Sequence, residues 1–233
     1  MPSQQGTLYI VGTPIGNMED ITLRALRVLR EVDLVAAEDT RHTGMLLARH
    51  GLQKALISYH GFNEAKRTPE LLRELQNGRS IALVSDAGMP TVSDPGQRLI
   101  RAVIDAGINV AIVPGISAIT AALAGSGFAR RSRGEGGFLF YGFLPHKSGQ
   151  RRKALSQLAP LPWTLVFFES PHRLLKTLHD MRDLLENRRV VVARELTKKF
   201  EEILHGDIEA ILKKLENRSI KGEITLVVEG SSE

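Results

Sequence analysis

Short apolar runs alternate with amphipathic stretches along most of the chain. Residues 8–11 are a compact apolar run that predicts a buried strand, and residues 21–32 predict a helix with Leu23, Leu26 and Leu29 on one face. Residues 33–37 read as a second strand, followed by a helix through Met45, Leu46 and Leu47 that stops at Gly51. Residues 55–58 predict a strand, and residues 64–76 a helix with Leu71, Leu72 and Leu75 inward, ended by Asn77-Gly78. A strand at 80–84 follows, then a helix that starts at Pro95, runs through Leu99, Ile100, Val103 and Ile104, and stops at Gly107. A strand at 109–113 and a helix after Gly115 complete this half. Strands alternating with helices predict a mostly parallel sheet covered on both faces.

Residues 125–137 interrupt the pattern with Gly125, Gly127, Gly134, Gly136 and Gly137, among which stand Arg130, Arg131 and Arg133. Such a composition marks a linker or loop. Beyond it come predicted strands at 138–142, 164–168, 190–194, 202–205 and 223–229, with helices at 149–158, 172–185 and 207–215. The expectation is two α/β domains: residues 1–126 with a mostly parallel sheet, a basic Gly-rich linker at 127–137, and residues 138–233 with a mixed sheet. Residues 107–129 carry no charged side chain, but Pro114-Gly115 splits them and the halves differ. The first is β-branched, and the second is rich in alanine. A strand, a turn and a packed helix account for this better than a membrane span.

Composition narrows the class. The 233 residues contain no cysteine, which excludes a disulfide framework, a thiolate metal site and a cysteine nucleophile. The same feature fits a reducing, cytoplasmic setting. The first seven residues hold neither a basic cluster nor a long apolar run, so no secretory signal is expected. The net charge is 31 − 26 = +5. Residues 1–126 hold 12 basic and 12 acidic side chains, whereas residues 127–233 hold 19 and 14, so the second half carries all of the excess (19 − 14 = +5). That asymmetry points to a polyanion-facing surface there.

Ligands of open α/β sheets bind beyond the carboxyl ends of the strands. The residues in those places are Gly12-Thr13-Pro14-Ile15-Gly16-Asn17, Glu38-Asp39-Thr40-Arg41, Ser85-Asp86-Ala87-Gly88, Pro114-Gly115-Ile116-Ser117-Ala118, Glu169-Ser170-Pro171-His172-Arg173 and Arg194-Glu195-Leu196-Thr197-Lys198-Lys199. Turn chemistry explains Gly, Pro, Asp and Ser in any one loop, but not this many charged groups at once. No G-x-G-x-x-G, P-loop, H-E-x-x-H or G-x-S-x-G pattern occurs, so a conventional dinucleotide, triphosphate, zinc or serine-hydrolase site is not expected, and no metal is. Gly-rich loops with Asp86 and Ser93-Asp94 suit a cationic or neutral adenosyl ligand better than a triphosphate.

Taken together, these motifs resemble a family. Thr13-Pro14-Ile15-Gly16-Asn17, Ala37-Glu38-Asp39-Thr40-Arg41, Ser58-Tyr59-His60, Ser93-Asp94-Pro95-Gly96, Gly142-Phe143-Leu144-Pro145, Glu169-Ser170-Pro171-His172-Arg173, Glu195-Leu196-Thr197-Lys198-Lys199 and Lys221-Gly222-Glu223-Ile224 match the bacterial small-subunit (16S) ribosomal RNA cytidine 2′-O-methyltransferases. That family lies in the tetrapyrrole-methylase-like class. The resemblance runs over nearly the whole chain. It implies a tetrapyrrole methylase-like fold that binds S-adenosylmethionine between its domains, a small-subunit ribosomal RNA substrate, and a homodimer. It also implies cofactor contacts at Thr13, Pro14, Asp86, Ala87, Gly88, Ser93, Asp94, Ser117 and Ala118, with Phe168 and Glu169, and Ala193 and Gly222 beyond them, from the second domain. The sequence departs from the family at Met89, Thr91 and Ile116, and in a longer, more basic loop at 129–137.

Methyl transfer to a ribose hydroxyl needs an in-line approach and gains from a proton acceptor. The candidates are Glu38, Asp39, His60, Glu169, Glu195 and Lys198, and the sequence does not choose among them. Asp39 with Arg41, and Glu195 with Lys198, read equally well as structural ion pairs. The candidate RNA contacts are Arg41, Arg130, Arg131, Arg133, Lys147, Arg151, Arg152, Lys153 and Arg173, whose charges would neutralise phosphates. The alternative reading is a small tetrapyrrole or precorrin as methyl acceptor, against which the basic second half argues.

Overall fold

The alternation of the sequence becomes a βα succession in the computed structural model, which describes residues 5–128 and 137–231. In the unit Met1–Ser117, β1 (Thr7–Val11), β2 (Leu34–Ala37), β3 (Leu56–Ser58), β4 (Ile81–Val84) and β5 (Asn109–Val113) form one sheet in the order β3-β2-β4-β1-β5. Every pairing in it is parallel. The central strand β4 is buried at all its positions, which is why its sequence is a continuous apolar run.

Helices α1 (Leu23–Glu31) and α2 (Thr40–Arg49) pack on one face, burying Ala25, Val28, Leu29 and Leu47 against Val11, Val35, Ala82 and Val84. Helices α3 (Glu64–Gln76) and α4 (Gln97–Asp105) pack on the other, with Leu71, Leu75, Leu99 and Val103 against Leu8, Ala36, Ile81 and Leu83. The chain covers one face while it steps from β1 to β3 and the other while it returns to β5, as crossovers of a single hand require.

Two local expectations are corrected. The buried stripe of α1 is Ala25-Val28-Leu29, and Leu23 is exposed. Thr22 starts this helix as its N-cap, accepting a hydrogen bond from the Ala25 N–H at 3.0 Å. Helix α4 begins at Gln97 rather than Pro95, because Gly96 before it has φ +133°, a conformation outside the helix.

The unit Ala118–Glu233 contains α5 (Ala118–Ser126), β6 (Phe138–Phe143), α6 (Ser148–Leu158), β7 (Thr164–Glu169), α7 (Leu174–Leu184), β8 (Arg189–Arg194), β9 (Glu202–Asp207), α8 (Ile208–Leu215) and β10 (Ile224–Val228). Its strand order is β6-β7-β10-β8-β9. The β6–β7 pair is parallel and the others are antiparallel, so the sheet is mixed. Helices α6, α7 and α8 cover one face over a core that includes Leu155, Leu178, Ile211, Phe167 and Leu226.

Helix α5 covers the other face, with Ile119 and Ala122 against Val166, Val191, Ala193 and Val227. The expected first domain, residues 1–126, therefore loses its last helix to the second unit. A helix of small residues can approach a Val/Ala sheet face closely, and that packing decides its allegiance. Most of the expected linker, residues 129–136, lies outside the described residues. The described part of the uncharged stretch, 107–128, contains β5, a turn and α5, and among the described residues no helix is long and apolar enough to cross a membrane.

Candidate active site

A parallel sheet places the carboxyl ends of all its strands at one edge, so the loops after β1 to β5 gather there. The loops after β1 and β5 meet backbone to backbone. A Cβ on Gly12 would lie 2.7 Å from the Gly115 Cα and nitrogen and 2.7 Å from the Met89 sulfur. Only glycine allows that approach. The loops after β1 and β4 are joined by a two-way bridge: Thr13 N–H donates to Gly88 O at 2.9 Å and Gly88 N–H to Thr13 O at 3.1 Å. The buried Thr13 hydroxyl adds a bond to Ser85 O at 3.1 Å.

This edge has features of a ligand cradle. Ser85 Oγ is buried and, among the described residues, has no hydrogen-bond partner. Such orphaned polar atoms are uncommon in folded proteins and call for a partner. Thr91 and Ser93 stand at φ +72° and +69°. A β-branched residue in the left-handed region is strained, and strain of this kind gathers at binding loops. The cofactor candidates Thr13, Pro14, Asp86, Ala87, Gly88, Ser93 and Asp94 all belong to these loops, and Ser117 and Ala118 lead into α5.

Beside the cradle lies a group of titratable side chains. Asp86 Oδ1 accepts from the Asp39 backbone N–H at 3.0 Å and stands 3.8 Å from His42 Nδ1. Glu38 Oε2 faces the Asp86 N–H at 3.4 Å. Burial pushes the Glu38 carboxyl above its ordinary value of 4.5; the Asp86 N–H opposes this, the Asp86 charge adds to it, and His60 opposes it. His60 Nδ1 is buried and unpartnered among the described residues. Among those residues no three such groups are placed to hold a metal ion.

Asp39 has a different task. It caps α2 through the Arg41 N–H at 2.8 Å and holds the Arg41 guanidinium at 3.1 and 2.7 Å. The Arg41 side chain holds its carboxyl well below the usual carboxylate range. Asp39 is thus a helix cap and ion-pair partner, poorly suited to take up a proton.

In the second unit the strand pairing brings Glu169, Arg194, Glu202 and Ile224 to one edge of the sheet. There Glu195 Oε1 accepts from Lys198 Nζ and from the Glu223 backbone N–H, each at 2.9 Å, and Lys198 reaches Glu223 Oε2 at 3.0 Å. Burial would raise the Glu195 carboxyl, but the Glu223 N–H and Lys198 outweigh it and hold it below its ordinary value. Burial would lower Lys198, yet its two carboxylate partners raise it. Both groups stay charged at neutral pH, and Lys198 keeps its proton. The carboxylate of Glu169 is spent on the Ser170 N–H at 2.7 Å and the Thr177 hydroxyl. Phe168 packs against Phe140 and Phe143, with ring centroids 4.9 and 5.6 Å apart.

Comparison with known proteins places this arrangement. Residues 7–212 match the family model of the tetrapyrrole (corrin/porphyrin) methylases. The chain is 49% identical over 229 residues to a ribosomal RNA small subunit methyltransferase I of Halalkalibacterium halodurans, covering 98% of this chain and 78% of that protein. It is 48% identical over 225 residues to the protein of the same description from Thermotoga maritima, covering 97% of this chain and 99% of the relative. The chain belongs to the ribosomal RNA small subunit methyltransferase I family, within the tetrapyrrole methylases. The fold agrees. A uroporphyrin-III C-methyl transferase from Thermus thermophilus, solved with S-adenyl homocysteine, superposes with a TM-score of 0.67 at 21% identity, covering 95% of this chain and 97% of that one.

For this methyltransferase-family chain the candidate RNA surface needs revision. Arg151 is buried, with its Nε donating to Asp180 Oδ2 at 2.7 Å. Arg152 bridges Asp180 and Asp183 at 2.8 and 3.1 Å. Arg173 donates to the carbonyls of Leu144 and Pro145 at 2.8 and 3.1 Å, tying the loop after β6 to the start of α7. Arg151 and Arg173 are thus tied into the fold, whereas the Arg152 side chain, paired with two carboxylates, stays 40% exposed. Lys147, Lys153 and Arg41 are exposed, and Arg130, Arg131 and Arg133 lie outside the described residues. Sequence reasoning passed over Ser85 as an orphaned hydroxyl, Glu223 as the third member of the Glu195–Lys198 group, and His42. All but His42 stand in motifs the sequence displays; what was missing was their neighbours.

The cradle gives a direct prediction for this family member. Gly12→Ala forces the loops after β1 and β5 apart, because its Cβ meets backbone, which cannot swing away. Overpacking of this sort costs about 1–3 kcal/mol. The expected result is S-adenosylmethionine affinity reduced at least about tenfold in calorimetric titration, tenfold being about 1.4 kcal/mol. Unchanged affinity would show that the cofactor lies elsewhere.

Proposed function

We propose that this protein transfers a methyl group from S-adenosylmethionine to the ribose 2′-oxygen of a cytidine in small-subunit (16S) ribosomal RNA. The observation that carries the reading is identity of nearly half, over 97–98% of the chain, to proteins named for methyl transfer to that RNA. A protein of the same fold is solved with S-adenyl homocysteine, which is what remains of S-adenosylmethionine once its methyl has left. The motifs quoted above support ribose and cytidine as the target. The protein acts, in this reading, in the cytoplasm as a homodimer.

The cradle residues suit the cofactor. The Thr13–Gly88 bridge fixes the floor of the cradle, and the orphaned Ser85 hydroxyl and the carboxylates of Asp86 and Asp94 offer polar groups and negative charge to a cationic adenosyl ligand. The cofactor supplies an electrophilic methyl on a sulfonium. What the chain supplies is position, worth roughly 7–11 kcal/mol in well-oriented reactions, and a proton acceptor. We take Glu38 as the acceptor ahead of His60: its carboxyl is raised, whereas Asp39 and Glu195 are lowered, each Glu169 oxygen already accepts a hydrogen bond and Lys198 keeps its proton. Glu38 would take the proton that the ribose hydroxyl gives up when its oxygen accepts the methyl group from the sulfonium.

The test is incubation with methyl-labelled S-adenosylmethionine and, in parallel, naked small-subunit RNA, assembled small subunits or uroporphyrinogen. Nuclease digestion should return the label as 2′-O-methylcytidine. Label on a base, or on the tetrapyrrole, would overturn the reading.

A further inference from the structure

The turn after β3 holds a phenylalanine out in water on a rigid support. Tyr59 is fully buried, and its hydroxyl lies 3.0 Å from Thr68 Oγ1. The Asn63 side chain accepts from the His60 backbone N–H at 2.8 Å and donates to the Ser58 carbonyl at 3.1 Å. The His60 carbonyl accepts in turn from the backbone N–H groups of Asn63 and Glu64. The loop is tied down at both ends, yet Phe62 at its tip is 101% exposed. A phenylalanine so placed forgoes all of its burial energy, so the local fold gives no reason for it.

Its surroundings point to a nucleotide. The Phe62 ring meets the His60 ring edge-on, with centroids 6.2 Å apart, and their turn follows β3, which pairs in parallel with β2 so that Ser58 stands opposite Ala37, the residue before Glu38. Phe62 therefore stands at the same strand-end edge as the acidic group. Glu38 and Asp86 repel a phosphate, so the part of a nucleotide that fits beside them is ribose and base. Lys66, exposed in the first turn of α3, offers positive charge to the flanking backbone, while the Asp39–Arg41 pair adds no net charge. Proteins that read unpaired RNA commonly stack its bases on aromatic side chains.

We propose that Phe62 is a stacking surface for the base of an unpaired nucleotide of the RNA substrate, beside Glu38. The inference rests on the reading of this site as an RNA ribose methyltransferase. A rigid, pre-placed ring loses little freedom on binding, and its π face tolerates any base while the rest of the site selects one.

The test uses this protein and small-subunit RNA. Phe62→Ala should raise the KM for RNA about 5- to 150-fold, the range of a single base–aromatic stack, and leave S-adenosylmethionine affinity unchanged. Phe62→Tyr should restore the parent value, and Phe62→Leu, apolar but without a π face, should not. The fluorescence of Phe62→Trp should be quenched by small-subunit RNA and by oligocytidylate beyond the change seen in the parent. A parent-like KM for Phe62→Ala, rescue by Phe62→Leu, or no quenching in a variant that still transfers label would each overturn the contact. So would a loss of self-association in Phe62→Ala, which would mean that a second copy of the chain covers the ring. If the parent transfers no label to RNA, the proposed function fails and this contact with it; if label still reaches ribose, only the contact fails.

Discussion

Arg151→Ala is expected to destabilise the second unit by about 3–5 kcal/mol, the usual cost of removing one partner from a buried ion pair. The Arg151 and Asp180 side chains are only 6% and 11% exposed, with Nε and Oδ2 at 2.7 Å. Arg151 also donates to the His146 carbonyl at 3.2 Å, so the same guanidinium fixes the loop before α6. Truncation leaves the Asp180 carboxylate on α7 with Arg152 alone, and Arg152 is shared with Asp183. A charge held out of water with half its partners costs more than the intact pair ever contributed. The converse follows: Arg151→Met combined with Asp180→Leu should recover most of the loss, since apolar packing replaces a buried pair at little net cost. The single tryptophan, Trp163, belongs to the second unit and reports its unfolding in a denaturant titration. A single variant within 1 kcal/mol of the parent would sink the argument. Loss of RNA binding in such a variant would report a weakened fold, so Lys147 and Lys153, which are exposed, are the proper probes of RNA contact.

Arg151 also shows where the sequence stops being legible. A basic run at the start of a helix looks the same whether it meets phosphate or a carboxylate from another helix. The deciding partner, Asp180, is 29 residues away and carries no local mark. Strands and helices were readable because their signal is periodic and local. The parallel and mixed sheets followed from the order of the elements, and the strand-end loops followed from the sheets. On α1, Leu23, Leu26 and Leu29 look like a stripe, whereas the buried set, Ala25, Val28 and Leu29, contains a small residue that hydrophobicity alone undervalues. Helix α5 is a similar case: its alanines say that it packs closely but not on which sheet, and only the structure shows it on the second. At the site, the motifs located the loops, but the roles of Glu38 and Asp39, adjacent in sequence, separate only once burial and Arg41 are known.

That separation leads to the largest expected effect on activity. Glu38→Gln should lower kcat about 10²- to 10⁴-fold, the usual contribution of a positioned general base. Glutamine keeps the size of the side chain and the acceptor for the Asp86 N–H, so S-adenosylmethionine affinity should stay within about threefold, well under the tenfold that corresponds to 1.4 kcal/mol. The sign of the pH dependence follows from burial. A carboxyl pushed above 4.5 stays protonated to higher pH than an exposed glutamate, and only its ionised form can accept the hydroxyl proton. Activity should therefore fall as pH drops through the raised value, giving an acid limb above the ordinary glutamate range. In Glu38→Gln that limb should vanish along with most of the rate. In His60→Gln it should move to higher pH, because His60 favours the ionised carboxyl and its removal leaves burial and the Asp86 charge less opposed. Asp39→Asn offers the contrast: its carboxyl is held low by Arg41 and accepts no proton in this range, so the variant, which still caps α2 but loses the Arg41 ion pair, should leave the acid limb in place. An unaltered limb in Glu38→Gln, with kcat within tenfold of the parent, would remove Glu38 from the chemistry and leave His60 as the remaining acceptor at this edge.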